Sequence, residues 1–170
     1  DLGQCYSVLT GHSGWVRGCA MTPNQRYALS ASDDKALRFW DLESGECIRV
    51  LEAHSGPVRS CTVGPDGRHA LSASSDRTLR LWDLDTGQCT SVLEGHSSPV
   101  RSCTISSDGR HALSASSDKT LRLWNLLNGI CLLKVRIDAL NTATLSPDGR
   151  SILLGTRTNA ISHLEIANPP

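Results

Sequence analysis

The segment from His54 to Trp82 reads HSGPVRSCTVGPDGRHALSASSDRTLRLW, and the segment from His96 to Trp124 reads HSSPVRSCTISSDGRHALSASSDKTLRLW. The two segments are offset by 42 residues and differ at only five positions. A third, more divergent copy comes first, with its histidine and tryptophan in the same register at His12 and Trp40. A repeat of roughly 20 to 50 residues is typical of arrays in which each unit buries its apolar faces against its neighbours. The sequence therefore predicts a repeat protein.

Each copy contains short runs of alternating apolar character, separated by turn residues, and such runs predict β-strands. In the second copy an alternating run leads to the turn Pro65-Asp66-Gly67, and the second and third runs follow at 70–74 and 78–82. A further turn at 85–87 then leads into a fourth run at 89–93. Asp-Gly at 66–67, 108–109 and 148–149 fits hairpin turns, because glycine readily adopts positive φ. Four short strands per repeat of about 42 residues follow from this pattern.

Each copy also opens and closes on a characteristic dipeptide. The opening pairs are Gly11-His12, Ala53-His54 and Gly95-His96, and the closing pairs are Trp40-Asp41, Trp82-Asp83 and Trp124-Asn125. This pattern resembles the WD40 family. The resemblance implies an all-β propeller of four-stranded antiparallel blades, with four blades per chain. The repeats would span approximately residues 11–52, 53–94, 95–134 and 135–166, with 1–10 as a closing outer strand.

The last repeat is degenerate. A shift of 40 residues aligns 106–110 with 146–150, and on that alignment Leu164 replaces Trp124 and Thr158 replaces Asp118. Apolar runs at 142–145, 152–155 and 161–166 still predict three strands. Because terminal repeats are often atypical, we interpret this segment as a fourth blade.

Residues 1–10 match residues 83–94 with two residues deleted, so they predict an outer strand that completes the fourth blade of the same or of a second chain. Such completion would remove an unpaired strand edge. Three arrangements are compatible with four blades: a closed four-bladed ring, two chains forming an eight-bladed ring, or a fragment of a longer polypeptide. The chain starts within a repeat and its single methionine is Met21, which favours a fragment by origin. For the isolated chain we favour the two-chain ring.

The composition excludes several classes of protein. The chain has 17 basic and 17 acidic residues, which gives no electrostatic case for binding nucleic acid or a membrane. Neither a membrane-spanning run nor a signal peptide is evident in the sequence. The seven cysteines fall in two repeat registers without zinc-ligand spacing: Cys5, Cys47, Cys89 and Cys131, and Cys19, Cys61 and Cys103. We interpret them as small buried residues of a cytoplasmic protein, and expect no metal and no cofactor.

Three of the repeats carry serine, histidine and aspartate, as a hydrolase would. The WD40 resemblance instead implies a structural hydrogen-bond network, in which aspartate contacts histidine, histidine contacts serine and serine contacts the tryptophan indole. A set copied three times with no distinguished member is better explained as framework than as a catalytic site, so we predict that the protein is not an enzyme. The expected networks are His12, Ser30, Asp34 and Trp40; His54, Ser72, Asp76 and Trp82; and His96, Ser114, Asp118 and Trp124.

If the framework is structural, function lies in exposed loop positions. The resemblance implies three such positions per blade, which would form a basic arc with one aromatic side chain. Arginine and tryptophan are frequent in interfaces, and arginine suits carboxylates and phosphates, although these arginines could also be inherited framework. The candidate positions are Trp15, Arg17 and Asp33; Pro57, Arg59 and Ser75; Pro99, Arg101 and Ser117; and, in the degenerate blade, Ala139, Asn141 and Arg157.

The sequence thus predicts a non-enzymatic protein–protein interaction scaffold that binds an acidic or phosphorylated partner segment on the ring face. One alternative is the sensor or autoinhibitory C-terminal propeller of a larger signalling protein, such as a nucleotide-binding switch or a kinase. A hydrolase that uses one Ser-His-Asp set is a distant third. Arg38, Arg80 and Arg122 also repeat, and we interpret them as framework or outer surface.

Overall fold

A computed structural model describes residues 7–146, 148–156, 158 and 160–166 of the 170-residue chain. Fifteen β-strands, and no helix, occur in these residues. Blade 1 contains β1 (Val16–Met21), β2 (Tyr27–Ser32), β3 (Ala36–Asp41) and β4 (Cys47–Glu52), and blade 2 contains β5 (Val58–Val63), β6 (His69–Ser74), β7 (Leu79–Asp83) and β8 (Cys89–Leu93). Blade 3 contains β9 (Val100–Ile105), β10 (His111–Ser116), β11 (Thr120–Asn125) and β12 (Cys131–Arg136), and blade 4 contains β13 (Leu140–Leu145), β14 (Ser151–Thr156) and β15 (Ile161–Glu165).

Each blade is one antiparallel sheet whose strands pair in sequence order. Blades 1 to 3 have four strands, and blade 4 has three. The prediction of an all-β fold built from antiparallel propeller blades is confirmed. The Asp-Gly turns also form as expected, because Gly67, Gly109 and Gly149 have φ near +70° and side chains with a Cβ rarely adopt that conformation.

The core consists of three apolar layers, one between each pair of successive blades. Between blades 1 and 2, Leu29 and Leu37 pack against Val58 and Trp82, and all four are buried. The same positions recur between blades 2 and 3, and apolar residues of blades 3 and 4 form the third layer. Burial therefore arises between blades rather than within a blade, as the repeat period predicts.

The four blades form an open arc over the described residues. Strand β1 contacts β5, β5 contacts β9, and β9 contacts β13, whereas within the described part of the chain no contact of similar extent joins β13 to β1. The predicted closing strand lies largely outside the described residues, since only 7–10 of it are described and these are not in a strand. Leu9 nevertheless lies 4.0 Å from the position that a Cβ atom on Gly45 would occupy. In the following blades Leu51 lies against Gly87 in the same way, and Leu93 lies against Gly129.

The interpretation of the cysteines as uniformly buried is wrong for the first blade. Cys61 and Cys103 are buried between blades, but Cys19, at the same position in β1, is exposed. No described blade packs against that face of β1. Cys47, Cys89 and Cys131 are partly buried, and Cys5 lies outside the described residues. Among the residues described, none belongs to a helix long and apolar enough to cross a membrane.

Candidate functional site

In blades 1 to 3 the repeated histidine, serine, aspartate and tryptophan form one hydrogen-bonded chain. In blade 2, His54 Nδ1 lies 2.7 Å from Asp76 Oδ2, and His54 Nε2 lies 2.7 Å from Ser72 Oγ. The indole of Trp82 donates to the same Ser72 oxygen at 2.8 Å. Blades 1 and 3 repeat these distances to within about 0.1 Å, in the order histidine–aspartate, histidine–serine and tryptophan–serine. They are 2.7, 2.7 and 2.8 Å in blade 1, among His12, Asp34, Ser30 and Trp40. They are 2.8, 2.8 and 2.9 Å in blade 3, among His96, Asp118, Ser114 and Trp124.

The protonation pattern follows from these partners. Burial by itself would raise the pKa of Asp76, but hydrogen bonds from His54 and Thr78 outweigh it and hold that pKa well below its usual range. Burial lowers the pKa of His96, against the opposing effect of Asp118. An ionised aspartate and a neutral histidine that donates from Nδ1 satisfy both groups, and leave Nε2 to accept from serine.

This geometry does not suit nucleophilic catalysis. The hydroxyls of Ser72 and Ser114 belong to buried residues, and each accepts a hydrogen bond from a buried tryptophan indole. A nucleophilic serine needs access to substrate and a nearby oxyanion site. The four-residue set instead connects the first loop, the second strand and the third strand of its own blade.

The remaining predicted residues meet at one edge of the arc, which we call the upper edge. It comprises the loops that precede β1, β5 and β9 and the β2–β3, β6–β7 and β10–β11 turns. Backbone hydrogen bonds join the predicted positions within each blade, because the amides of Asp33, Ser75 and Ser117 donate to the carbonyls of Trp15, Pro57 and Pro99 at 2.8–2.9 Å. The structure therefore brings the three positions of each complete blade together.

A β-bulge places the arginine of each complete blade at this edge. The register between the first and second strands shifts between Val16 and Gly18, and again between Val58 and Ser60, so that Arg17 and Arg59 fall at the irregularity. The same shift occurs at Arg101. Bulged residues are unpaired in the ladder, and their side chains are re-aimed relative to a regular strand.

The arginine side chains have different partners in successive blades. Arg17 forms a bidentate ion pair with Asp33, at 2.5 Å between Nη2 and Oδ2. Arg59 Nη1 reaches the other Asp33 oxygen at 3.1 Å, and Arg59 Nε donates to Ser75 Oγ at 2.7 Å. Arg101 Nε donates to Ser117 Oγ at 2.7 Å. Asp33 thus lies between two guanidinium groups of adjacent blades, and the hydrogen bond from Arg17 lowers the pKa of its carboxyl group.

Trp15 is the most exposed aromatic side chain among the described residues, with 74% of its surface accessible. The Arg17 guanidinium lies 4.8 Å from the centroid of its ring, within the range of a cation–π contact. Trp15, Arg17 and Asp33 therefore form a connected surface cluster.

Sequence reasoning missed a second set of basic residues at the upper edge. Lys35, Arg77 and Lys119 are exposed and follow the turn aspartates directly, at φ values of +73°, +77° and +64°. Each amide bonds to the carbonyl of the serine three residues earlier, which is the geometry of a turn followed by a left-handed residue. The repeated Asp-basic dipeptide, Asp34-Lys35, Asp76-Arg77 and Asp118-Lys119, is the signal that could have revealed it.

The degenerate blade contributes less to the upper edge. Asn141 is exposed and Ala139 is partly buried at φ +59°, while Arg157 lies outside the described residues. Lys119 of blade 3 is paired with Asp138 at 3.4 Å. The basic character of the described edge therefore comes from blades 1 to 3.

Arg38, Arg80 and Arg122 face the interior of their blades. The guanidinium groups of Arg38 and Arg122 lie over Trp40 and Trp124, at 6.0 and 5.6 Å from the ring centroids. Arg122 also donates to the Gly95 carbonyl at 2.7 Å, and a Cβ on Gly95 would fall 2.6 Å from its Nη1 atom. The glycine of the Gly-His dipeptide in blade 3 thus leaves room for an arginine of the framework.

The sequence pattern described as WD domain, G-beta repeat matches residues 3–41, 45–83 and 87–125. The chain belongs to the WD40 repeat family. A nuclear distribution protein nudF 2 of Penicillium rubens is 55% identical over 40 residues, and a protein of the same name from Aspergillus clavatus is 58% identical over 40 residues. Each alignment covers 24% of this chain and 9% of the relative. The nuclear distribution protein PAC1 of Yarrowia lipolytica is 56% identical over 36 residues, which cover 21% of this chain and 8% of that protein.

The chain therefore aligns with less than a tenth of the length of these relatives, over a segment about as long as one repeat. The WD40 family assignment supports a role as a protein-interaction scaffold and points away from an enzyme.

Proposed function

We propose that this WD40 chain is a non-enzymatic interaction module that binds an acidic or phosphorylated segment of a partner protein along its upper edge. The observation that carries the proposal is the presence of two basic residues per blade at that edge in blades 1 to 3. The six residues are Arg17, Arg59 and Arg101, and Lys35, Arg77 and Lys119.

The carboxylates at this edge keep their negative charge, and Asp138 pairs with Lys119. Asp34, Asp76 and Asp118 are nevertheless largely buried, with only 5–10% of their side-chain surfaces accessible, whereas Lys35, Arg77 and Lys119 are exposed. Asp76 and Asp118 are held by histidine and backbone or hydroxyl donors within the framework, as Asp34 is in blade 1. Asp33 balances one charge between Arg17 and Arg59. In blades 2 and 3 the arginine Nε donates to a neutral serine hydroxyl, which orients the guanidinium. Basic groups spaced along one edge add their fields and favour an anionic ligand.

Trp15 supplies a flat apolar surface beside this basic edge. An exposed tryptophan beside arginine is a common composition for an interface hot spot. We therefore place the centre of the proposed interface at blade 1.

The test compares two charge reversals of equal size. The substitutions Arg17→Glu, Arg59→Glu and Arg101→Glu together should abolish binding of a fluorescent phosphoserine- and glutamate-rich peptide, as measured by anisotropy at low and high salt. Like charges brought together at an interface cost several kcal/mol. Arg26→Glu, Arg68→Glu and Arg150→Glu together reverse three charges on the opposite edge and should retain binding. If the first variant folds and binds the peptide as before, the proposed site is wrong.

As part of the same proposal, a second copy covers the exposed end faces and completes an eight-bladed ring. Val16 of blade 1 and Ile161 of blade 4 occupy positions that are buried between interior blades, yet 56% and 81% of their surfaces are accessible. A head-to-tail contact would continue the interfaces already present between blades. Light scattering should give a mass near twice the 18.3 kDa chain, and Val16→Glu should reduce it to the mass of one chain. A monomer at all concentrations would contradict this arrangement.

A further inference from the structure

A groove lies between blades 2 and 3 at the lower edge of the arc, which is opposite the upper edge. It has a volume of about 470 Å³, which is in the range of ligand-binding pockets. Its apolar lining includes Leu81, Ile105, Leu126 and Leu127. Its charged lining consists of Arg110 and of Asp66, whose carboxylate is paired with His69. We call it the lower groove.

The equivalent groove between blades 1 and 2 has a similar volume, 500 Å³, but a different chemistry. There Arg49 lies across the groove and donates to the backbone carbonyls of Leu84 and Asp85. In the lower groove Ser91 stands in place of Arg49, and Leu127 in place of Asp85. The two charged side chains that line the groove between blades 1 and 2 are therefore replaced in the next blade by a small hydroxyl and an apolar side chain.

Arg110 differs from its counterparts in the other complete blades. Arg26 pairs with Asp41 at 3.1 Å, and Arg68 pairs with Asp83 at 2.9 Å. A backbone hydrogen bond from Thr86, assisted by Arg68, lowers the pKa of Asp83 to about 2. The position that matches Asp83 in blade 3 is Asn125.

Within the described part of the chain, no carboxylate lies at ion-pair distance from Arg110. The neighbouring carboxylate of Asp108 is engaged by Ser106 Oγ and by the backbone amide of Arg110. The guanidinium of Arg110 is thus a cationic group at the rim of an apolar groove, and lacks the carboxylate that blades 1 and 2 provide.

Leu127 adds a second departure from the repeat. It is 94% accessible, and its counterparts are the acidic residues Glu43 and Asp85. Ile130, which is 56% accessible, stands where Glu46 and Gln88 occur. Blades 2 and 3 are nearly identical from 54 to 82 and from 96 to 124, so the added apolar side chains begin at the turn that borders the groove. They continue into β12 with Leu132 and Leu133, where blade 2 has Thr90 and Ser91. Contiguous exposed apolar side chains of this kind mark interaction sites.

We propose that the lower groove binds a partner peptide segment in which a bulky apolar side chain is followed closely by a carboxylate. The apolar side chain enters between Leu81 and Ile105 and is covered by Leu127, while the carboxylate pairs with Arg110. Charge complementarity selects this ligand, because Arg110 can form a charge-assisted hydrogen bond that its own blade does not supply. This site is separate from the upper edge and does not depend on the function proposed there.

The probes are fluorescent ten-residue peptides with a central Leu, Ile, Phe or Trp, followed by Asp, and matched peptides in which Asn replaces that Asp. Binding to the full 170-residue chain is measured by anisotropy, and the site is located by amide chemical shifts. At least one Asp peptide should bind saturably, with shifts concentrated at 64–69, 105–110 and 126–127. The Asn counterpart should bind about tenfold more weakly, the usual effect of losing a charged hydrogen bond.

Two variants restore the residues of the neighbouring blades. Asn125→Asp gives Arg110 the carboxylate that Arg68 has, and preserves the turn, because Asn125 Oδ1 accepts from the amides of Leu127 and Asn128 as Asp41 accepts from Glu43 and Ser44. Leu127→Asp restores the acidic residue of blade 2. Each variant should weaken peptide binding about tenfold or more.

The matched controls are Arg68→Gln, which alters the same position in blade 2, and the triple upper-edge variant described above. Both should bind the peptide as the unmodified chain does. The proposal is overturned if no Asp peptide of the set binds saturably, if the shifts fall on the upper edge, or if Asn125→Asp and Leu127→Asp bind unchanged. Because the controls separate the two edges, a negative result at the lower groove leaves the upper-edge proposal intact. A negative result at the upper edge likewise leaves the lower-groove proposal intact.

Discussion

The interior interfaces of the arc and its two end faces present the same repeat positions in opposite environments. Val58 and Val100 are inaccessible to solvent, whereas Val16, at the same place in blade 1, is 56% accessible. Leu71 and Leu113 are buried at the trailing faces of blades 2 and 3, whereas Leu153 of blade 4 is 49% accessible. Burial in this fold therefore depends on the contact between two blades, and is not a property of either repeat alone.

The same comparison applies to the polar framework. Blades 1 to 3 carry the His-Ser-Asp-Trp chain of hydrogen bonds, and blade 4 has Leu154 and Leu164 at the serine and tryptophan positions. Leu154 is buried and contributes to the apolar layer between blades 3 and 4. A strand set can therefore persist without the network, when apolar side chains fill the space.

The largest expected effect compares an interior leucine with its counterpart at the end of the arc. Leu71→Ala removes a fully buried side chain between blades 2 and 3 and should lower the free energy of unfolding by about 2–5 kcal/mol. In the monomeric chain Leu153→Ala should lower it by less than about 1 kcal/mol, because half of that side chain is already in water, whereas in the proposed two-chain ring the loss should approach that of Leu71→Ala. Urea denaturation of both variants measures the difference. Equal losses would mean that the end face is covered in solution.

The next effect concerns the network of an interior blade. His54→Ala removes one buried hydrogen-bond partner from the carboxylate of Asp76 and one from the hydroxyl of Ser72, and should lower the free energy of unfolding by about 1–3 kcal/mol. His163→Ala, at an exposed position of blade 4, is the control and should change it by less than about 0.5 kcal/mol. Chemical denaturation tests both, and an unchanged midpoint for His54→Ala would mean that the network adds no stability.

The third prediction concerns acid stability. Burial opposes ionisation of Asp118, but hydrogen bonds from Thr120 and His96 prevail and keep its pKa below the value of about 3.9 in the unfolded chain. The stability that ionised Asp118 contributes is therefore fully present above about pH 4, and it is lost as the pH falls towards the pKa of Asp118 in the folded chain. The pKa of His96 is also lowered in the folded chain, so the fold favours the neutral imidazole. The stability that neutral His96 contributes therefore also declines with acid, beginning below about pH 6.5.

Asp118→Asn should cost about 1–2 kcal/mol at neutral pH and should flatten the acid limb below about pH 4. Thermal melts over a series of pH values measure both effects. A variant whose melting temperature falls as steeply with acid as that of the unmodified chain would contradict the assignment of this titration to Asp118.

The smallest effect on stability is expected at the cysteines, whose labelling also reports on the end face. Cys19 is exposed, whereas burial raises the pKa of Cys103 to about 12. Because the thiolate is the reactive species, iodoacetamide should modify Cys19 of the monomeric chain much faster than Cys103, with a change in stability below about 0.5 kcal/mol. Mass spectrometry of the digested protein gives the two rates. Similar protection of both thiols would show that another blade covers β1.

Local sequence patterns were sufficient to predict much of the fold and its framework. The alternating runs and Asp-Gly turns predicted strands that the structure contains, including three in the degenerate blade, because both signals act over a few residues. The WD40 resemblance grouped His54, Ser72, Asp76 and Trp82, and the structure brings them within hydrogen-bond distance. The upper-edge arginines were chosen by resemblance, but neither the bulges that place them nor the bridging position of Asp33 was predicted.

The repeat, the strand order within each blade and the residues available for each hydrogen-bond network follow from the sequence alone, because these depend on neighbours at fixed, short separations. The packing of the blades, by contrast, places Val16 in water and buries Val58, lets Asp33 join arginines of two blades, and brings Arg110 to an apolar groove. Each of these outcomes depends on which blade packs against which. Two nearly identical repeats can therefore differ in burial and in charge balance, since hydrophobic and electrostatic energies are set by the surroundings of a side chain rather than by its identity.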